Sequence, residues 1–158
     1  MKKFITLLSF ILVLVSASAQ DLTELKKESR INVEFDYSEV LINGLDIDDF
    51  SDYERDWDKD EPKIYGKFLS NFNKKQKNIV GGHVKNAKFT LTVHPITITE
   101  KGDIKAYYTI TDENGIECYK STIVKASGGT FGSQLNLIGD GMEALGNKIG
   151  SQFKGLIK

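Results

Sequence analysis

Two hydrophobic periods divide this chain. Ile31, Val33, Phe35 and Tyr37 alternate with Asn32, Glu34 and Asp36, the period-two pattern of a strand with one buried face. From Leu45 the spacing changes. Ile47, Phe50, Tyr53 or Glu54, and Trp57 fall three or four apart, which predicts a helix over 48–57 whose first aspartates suit the positive end of the dipole. Ser38 is placed to cap a short helical turn through Val40, Leu41 and Ile42, ended by Gly44. Pro62 fits the first turn of a second helix, and Ile64, Tyr65, Phe68, Leu69 and Phe72 supply its apolar stripe.

Residues 78–88 read as a loop, with a short apolar piece around Gly81 and Gly82 that adds a strand if it pairs. Three strands follow. Phe89, Leu91 and Val93 share a face, then Ile96 and Ile98 shift phase at Pro95, which predicts a bulge or an edge position. Ile104, Ala106, Tyr108 and Ile110 form the next strand, and 116–124 the last, joined by tight turns at Lys101–Gly102 and Asn114–Gly115. The final element is a helix from about residue 133 to 156, because Leu135, Ile138, Met142, Leu145, Ile149, Phe153 and Leu156 keep a three-or-four step throughout. Residues 21–30 are polar and read as a frayed lead-in.

This order predicts an α+β fold in two layers: a mixed sheet of about four or five strands, the C-terminal three as an antiparallel meander, with helices packed on one face. The first crossover is long enough to set the first strand parallel to a neighbour.

Residues 1–19 stand apart. Lys2 and Lys3, an apolar run from Phe4 to Val15, and small residues at Ala17 and Ala19 are the pattern of a secretory signal peptide. Residues 20–158 then form one exported domain, periplasmic or extracellular, and about 140 residues suffice to bury a real core. No later segment is long and apolar enough to span a bilayer, and no cysteine follows the small residues, so no transmembrane segment and no lipid anchor are expected in the mature chain. Cys118 is the single cysteine and has no internal disulfide partner. It reads as a small buried strand residue, with an intermolecular disulfide as the sharper alternative.

Charge is unevenly spread. Residues 20–61 carry 15 acids and 5 bases, whereas 62–158 carry 7 acids and 14 bases. Opposite balances of −10 and +7 point to the acidic segment folding over a basic face, or to an acidic patch for a cationic partner. No basic stripe interleaves with aromatics, which argues against a nucleic-acid partner.

Candidate chemistry is sparse. Gly139, Gly141, Gly146, Gly150 and Gly155 lie inside the terminal helix, each costing about 1 kcal/mol against alanine. That cost asks for a close approach by another backbone. Gly139, Met142, Gly146, Ile149, Gly150 and Phe153 are therefore candidates for contact with a protein partner or a second copy, the alternative being tight packing within the fold. The loop 127–133, with Gly128, Gly129 and Gly132, could hold an anion on its amides; the alternative is a turn with positive φ and Phe131 tucked into the core. Asp56, Asp58 and Asp60 have the first spacings of a calcium loop, but Glu61 and Lys67 stand where glycine and glutamate belong. His83 and His94 are the only histidines and form no zinc signature. No metal and no cofactor are expected.

Read together, DYSEVLINGLDIDDF, ERDWDKDEPK and KASGGTFGSQLNLIGDGMEALGNKIG resemble segments of small uncharacterised exported proteins of Gram-negative bacteria. In layout the chain is similar to α+β domains of envelope-associated accessory proteins. That resemblance implies an envelope location and a non-catalytic role. The leading expectation is a non-enzymatic secreted or periplasmic module acting through protein contact. The alternatives are a small-ligand or ion-binding domain, using the 127–133 loop or the acidic run 46–61, and a small secreted hydrolase, which needs a histidine, a nucleophile and a carboxylate in one cleft.

Overall fold

A computed structural model describes residues 22–158; residues 1–19, expected to be a signal peptide, lie outside the described residues. The elements run α1 (Leu22–Leu25), β1 (Arg30–Phe35), β2 (Leu41–Ile42), α2 (Ile47–Tyr53), α3 (Trp57–Asn73), β3 (Val80–Gly82), β4 (Phe89–Ile98), β5 (Ile104–Asp112), β6 (Glu117–Lys120), β7 (Val124–Ala126) and α4 (Gln134–Leu156). The fold is α+β, with one mixed sheet and helices packed against it.

Five strands run in the order β3-β1-β4-β5-β6, with β2 also on β4 and β7 also on β5. β1, β2 and β4 are parallel, as are β1 and β3; β4–β5, β5–β6 and β5–β7 are antiparallel. The expected parallel placement of the first strand and the pairing of the 79–84 piece both occur. β4 and β5 are long, and each carries two short strands along one edge. On β4 these are separated by the chain between Phe35 and Leu41; Ser38 and Glu39 form a turn, and Leu41 and Ile42, expected to continue it as a helical turn, instead re-enter the sheet as β2. A free rung on β4 outweighs the local capping signal.

The second break, between β6 and β7, interrupts the single strand expected over 116–124. Ser121 bridges it: its backbone N–H donates to the Tyr108 carbonyl (2.9 Å), and its hydroxyl accepts from the Tyr108 N–H (2.9 Å). A side chain thus replaces a rung of the ladder. The register shift expected near Pro95 lies between Pro95 and Thr97.

α3 begins at Trp57, so Pro62 stands in its second turn, not its first. Ser133 caps α4, its hydroxyl accepting from the Asn136 N–H. The lead-in is not frayed: Leu25 is fully buried, and Glu28 pairs with Lys88 at 2.9 Å. The core holds Ile31 and Val33 of β1, Leu91 and Val93 of β4, Tyr108 and Ile110 of β5, Phe68 and Phe72 of α3, and Ile138, Met142, Leu145, Ile149 and Phe153 of α4. By alternation the opposite sheet face carries Glu34, Thr92, His94, Lys105, Tyr107 and Thr109. Phe131, expected in the core, is 90 % exposed, because the glycines around it pack as backbone and leave its side chain outside.

Candidate functional site

The glycine-lined helix is consumed inside the fold. Met142, Ile149 and Phe153 are fully buried, and Phe153 packs on Phe72 with ring centroids 5.3 Å apart. A Cβ on Gly146 would sit 2.3 Å from the Phe68 carbonyl oxygen, and one on Gly150 would sit 2.8 Å from that of Phe72. Gly139 faces the Lys67 side chain, whose ammonium pairs with Asp140 at 3.0 Å. Gly146 and Gly150 admit the α3 backbone, so these residues do not form an outward contact face. The reason is geometric: each helix spaces its contact points by four residues, and the two backbones can then lie close along a shared stripe.

The 127–133 loop is likewise engaged internally. The Gly128 N–H donates to the Asp103 carboxylate at 2.9 Å. A Cβ on Gly128 would fall 1.8 Å from the Lys101 carbonyl, and one on Gly129 would fall 2.4 Å from an Asp140 oxygen. Gly132 has φ +125°, the positive-φ turn expected of it. The Gly128 amide expected to greet an external anion already holds Asp103.

Asp56 precedes α3, while Asp58 and Asp60 lie in its first turn. Side chains two apart on a helix diverge by roughly 200°, so the three do not converge as a calcium loop. Asp60 pairs with Lys63 at 2.6 Å and Asp56 with Lys59 at 3.7 Å, so both acids are matched by lysines of α3. Among the described residues, no three His, Cys, Asp or Glu side chains lie where they could share a metal ion.

The histidines lie apart. His94 bonds Asp36 through Nδ1 (3.2 Å) and the Thr109 hydroxyl through Nε2 (3.1 Å), and it stacks on Tyr107 at 4.5 Å. This chain has the connectivity of a nucleophile, base and orienting acid. Thr109 is only 7 % exposed, however, and the trio ties the exit of β1 to β4 and β5. Cys118 is buried, and burial pushes its thiol above the ordinary range.

His83 leads to a different place. It follows β3 and stacks on Tyr65 of α3 at 4.6 Å. Together they border a cleft of about 680 Å³ at the carboxyl ends of the parallel strands β1 and β3, where open parallel sheets commonly bind ligands. Phe35 and Tyr37 supply one wall, and Trp57, Pro62 and Tyr65 from the start of α3 supply the other. Glu34, Asp58 and Glu61 add carboxylates. The rings brace one another: Phe35 stacks on Tyr37 (5.5 Å), while Trp57 meets Tyr37 edge-on (5.8 Å) and Tyr65 meets Phe35 edge-on (6.0 Å). The Tyr65 hydroxyl donates to the Val33 carbonyl at 2.8 Å, beyond the point where β3 stops pairing.

Electrostatically the cleft is strained. The Tyr37 hydroxyl is buried with no hydrogen-bond partner among the described residues. Burial raises its pKa, and the nearby Glu61 charge adds to the rise. Burial also pushes the Glu61 carboxyl above the ordinary glutamate range, while His83 pulls it back. The Tyr65 hydroxyl is pushed up to about 12, by burial first and then by Glu61 and Glu34.

Of the candidate chemistry read from the sequence, this cleft gathers Asp58 and Glu61 of the acidic run and His83. Its aromatic members were legible as strand and helix stripe residues, but nothing in their spacing showed that the ends of two strands and a helix would meet. Compared with family models, curated proteins and solved structures, the chain matches none of them.

Proposed function

We propose that this protein is an exported, non-enzymatic binding module, and that it takes a small organic ligand in the cleft between Phe35, Tyr37, Trp57 and Tyr65. The carrying observation is the buried Tyr37 hydroxyl, without a partner among the described residues, beside a recess walled by aromatic rings. A buried polar group left unpaired costs about 1–3 kcal/mol, and that cost at a concave aromatic surface is what a ligand or bound water would relieve. Export rests on the basic start, apolar run and small residues of 1–19. The reading through protein contact loses support, because the face that motivated it packs on α3.

The test is NMR titration of the purified protein with a panel of neutral, anionic and cationic small molecules. Saturable shifts centred on the Trp57 indole and the Tyr65 and His83 rings are expected. A panel that moves no cleft resonance, or moves only those of distant residues, would sink the proposal.

A further inference from the structure

We infer that the ligand of this cleft is an organic cation, a protonated amine or a quaternary ammonium, an inference that rests on the cleft being the ligand site. Three features select the class. First, among the described residues the charged side chains on the cleft are Glu34, Asp58 and Glu61, with His83 as the single group able to become positive. The α3 N-terminus contributes roughly half a positive charge, which three carboxylates outweigh. An anionic ligand is therefore disfavoured.

Second, the carboxylates surround the cleft without converging, and no three acidic or imidazole groups among the described residues can share a metal ion. A compact divalent ion needs several oxygens at one point. A bulky ammonium spreads its charge over its alkyl groups and is satisfied by carboxylates at a distance.

Third, the walls are rings. Tyr37, Phe35 and Tyr65 are half-buried, and Trp57 is nearly buried. Aromatic rings attract a cation through their quadrupole, most strongly where water is excluded. Glu61 is partly desolvated, which strengthens its attraction for a counter-cation relative to an exposed carboxylate.

The experiment compares choline with its uncharged isostere 3,3-dimethyl-1-butanol by NMR titration at constant ionic strength, in the wild-type protein and in Glu61→Gln. Choline is expected to shift the Trp57 and Tyr65 resonances saturably. The neutral isostere should bind at least about tenfold more weakly, and Glu61→Gln should narrow that gap while its amide spectrum stays folded. Glu34→Gln, at an exposed position, supplies a second variant if Glu61→Gln unfolds. Equal binding of the two probes, or a gap that neither folded variant changes, overturns the inference. If choline fails while a neutral compound of the panel binds in the cleft, the ligand class is wrong and the site stands. If no compound binds, both fall.

Discussion

A Cβ on Gly146 would lie 2.3 Å from the carbonyl oxygen of Phe68, so α3 and α4 touch backbone to backbone at that point. Gly146→Ala should therefore destabilise the protein by about 1–3 kcal/mol through overpacking, despite alanine's better helix propensity. Gly66 and Gly155 have nothing within 4 Å of the added carbon, and alanine there should stabilise by up to about 1 kcal/mol. Urea unfolding of the three variants checks the contrast; a Gly146→Ala protein as stable as wild type would mean the helices separate at little cost.

Ser121 stands in for a rung between β6 and β7 by accepting the Tyr108 N–H at 2.9 Å. Ser121→Ala leaves that buried donor unpaired and should cost about 1–3 kcal/mol. Hydrogen exchange at the Tyr108 amide should accelerate in the variant; an unchanged rate would show that the serine is dispensable to the ladder.

Asp36 has its carboxyl held below the ordinary range, mainly by hydrogen bonds from Ser38, with His94 adding to the effect. Its folded pKa is below its unfolded one, so the stability it contributes is present above the unfolded value of about 3.9. That contribution is lost as pH falls through the folded pKa. Asp36→Asn should flatten the pH dependence of the urea midpoint below about pH 4; an unaltered acid limb would assign that limb to other carboxylates, such as Asp112, whose pKa is lowered chiefly by the Ile116 N–H.

Glu61 shifts the other way, because burial raises its carboxyl against the pull of His83. A folded pKa above the unfolded one means that stability falls as pH rises from about 4.3 toward the folded value. Glu61→Gln removes that loss and should be slightly more stable than wild type at pH 7, while binding choline more weakly. A variant less stable at neutral pH would contradict the burial argument, and differential scanning calorimetry reads it directly.

Cys118 is buried, with its thiol pushed up by desolvation. Alkylation by iodoacetamide at neutral pH should be slow in the folded protein and fast in urea. Rapid labelling without denaturant would show that β6 opens readily.

Sequence by itself determined the elements whose signal is local and repeated. The three-or-four step from Leu135 to Leu156 marked α4, because helical bonds form between near neighbours and the period survives any tertiary setting. The alternation of β1, the bulge after Pro95 and the turns at Gly102 and Gly115 were legible for the same reason. Tertiary structure alone decided what each exceptional residue faces. Nothing local told whether Gly146 meets a partner or Phe68, whether Gly128 greets an external anion or Asp103, or whether Phe131 turns inward. Leu41 and Ile42 became strand because β4 offered an open edge that no neighbouring residue announces. The cleft is the extreme case: Phe35, Trp57, Tyr65 and His83 come together only because β1 and β3 pair in parallel and α3 begins beside their ends. Contacts between residues far apart in sequence carry no period to be read, and a site assembled from them exists only once the chain has closed.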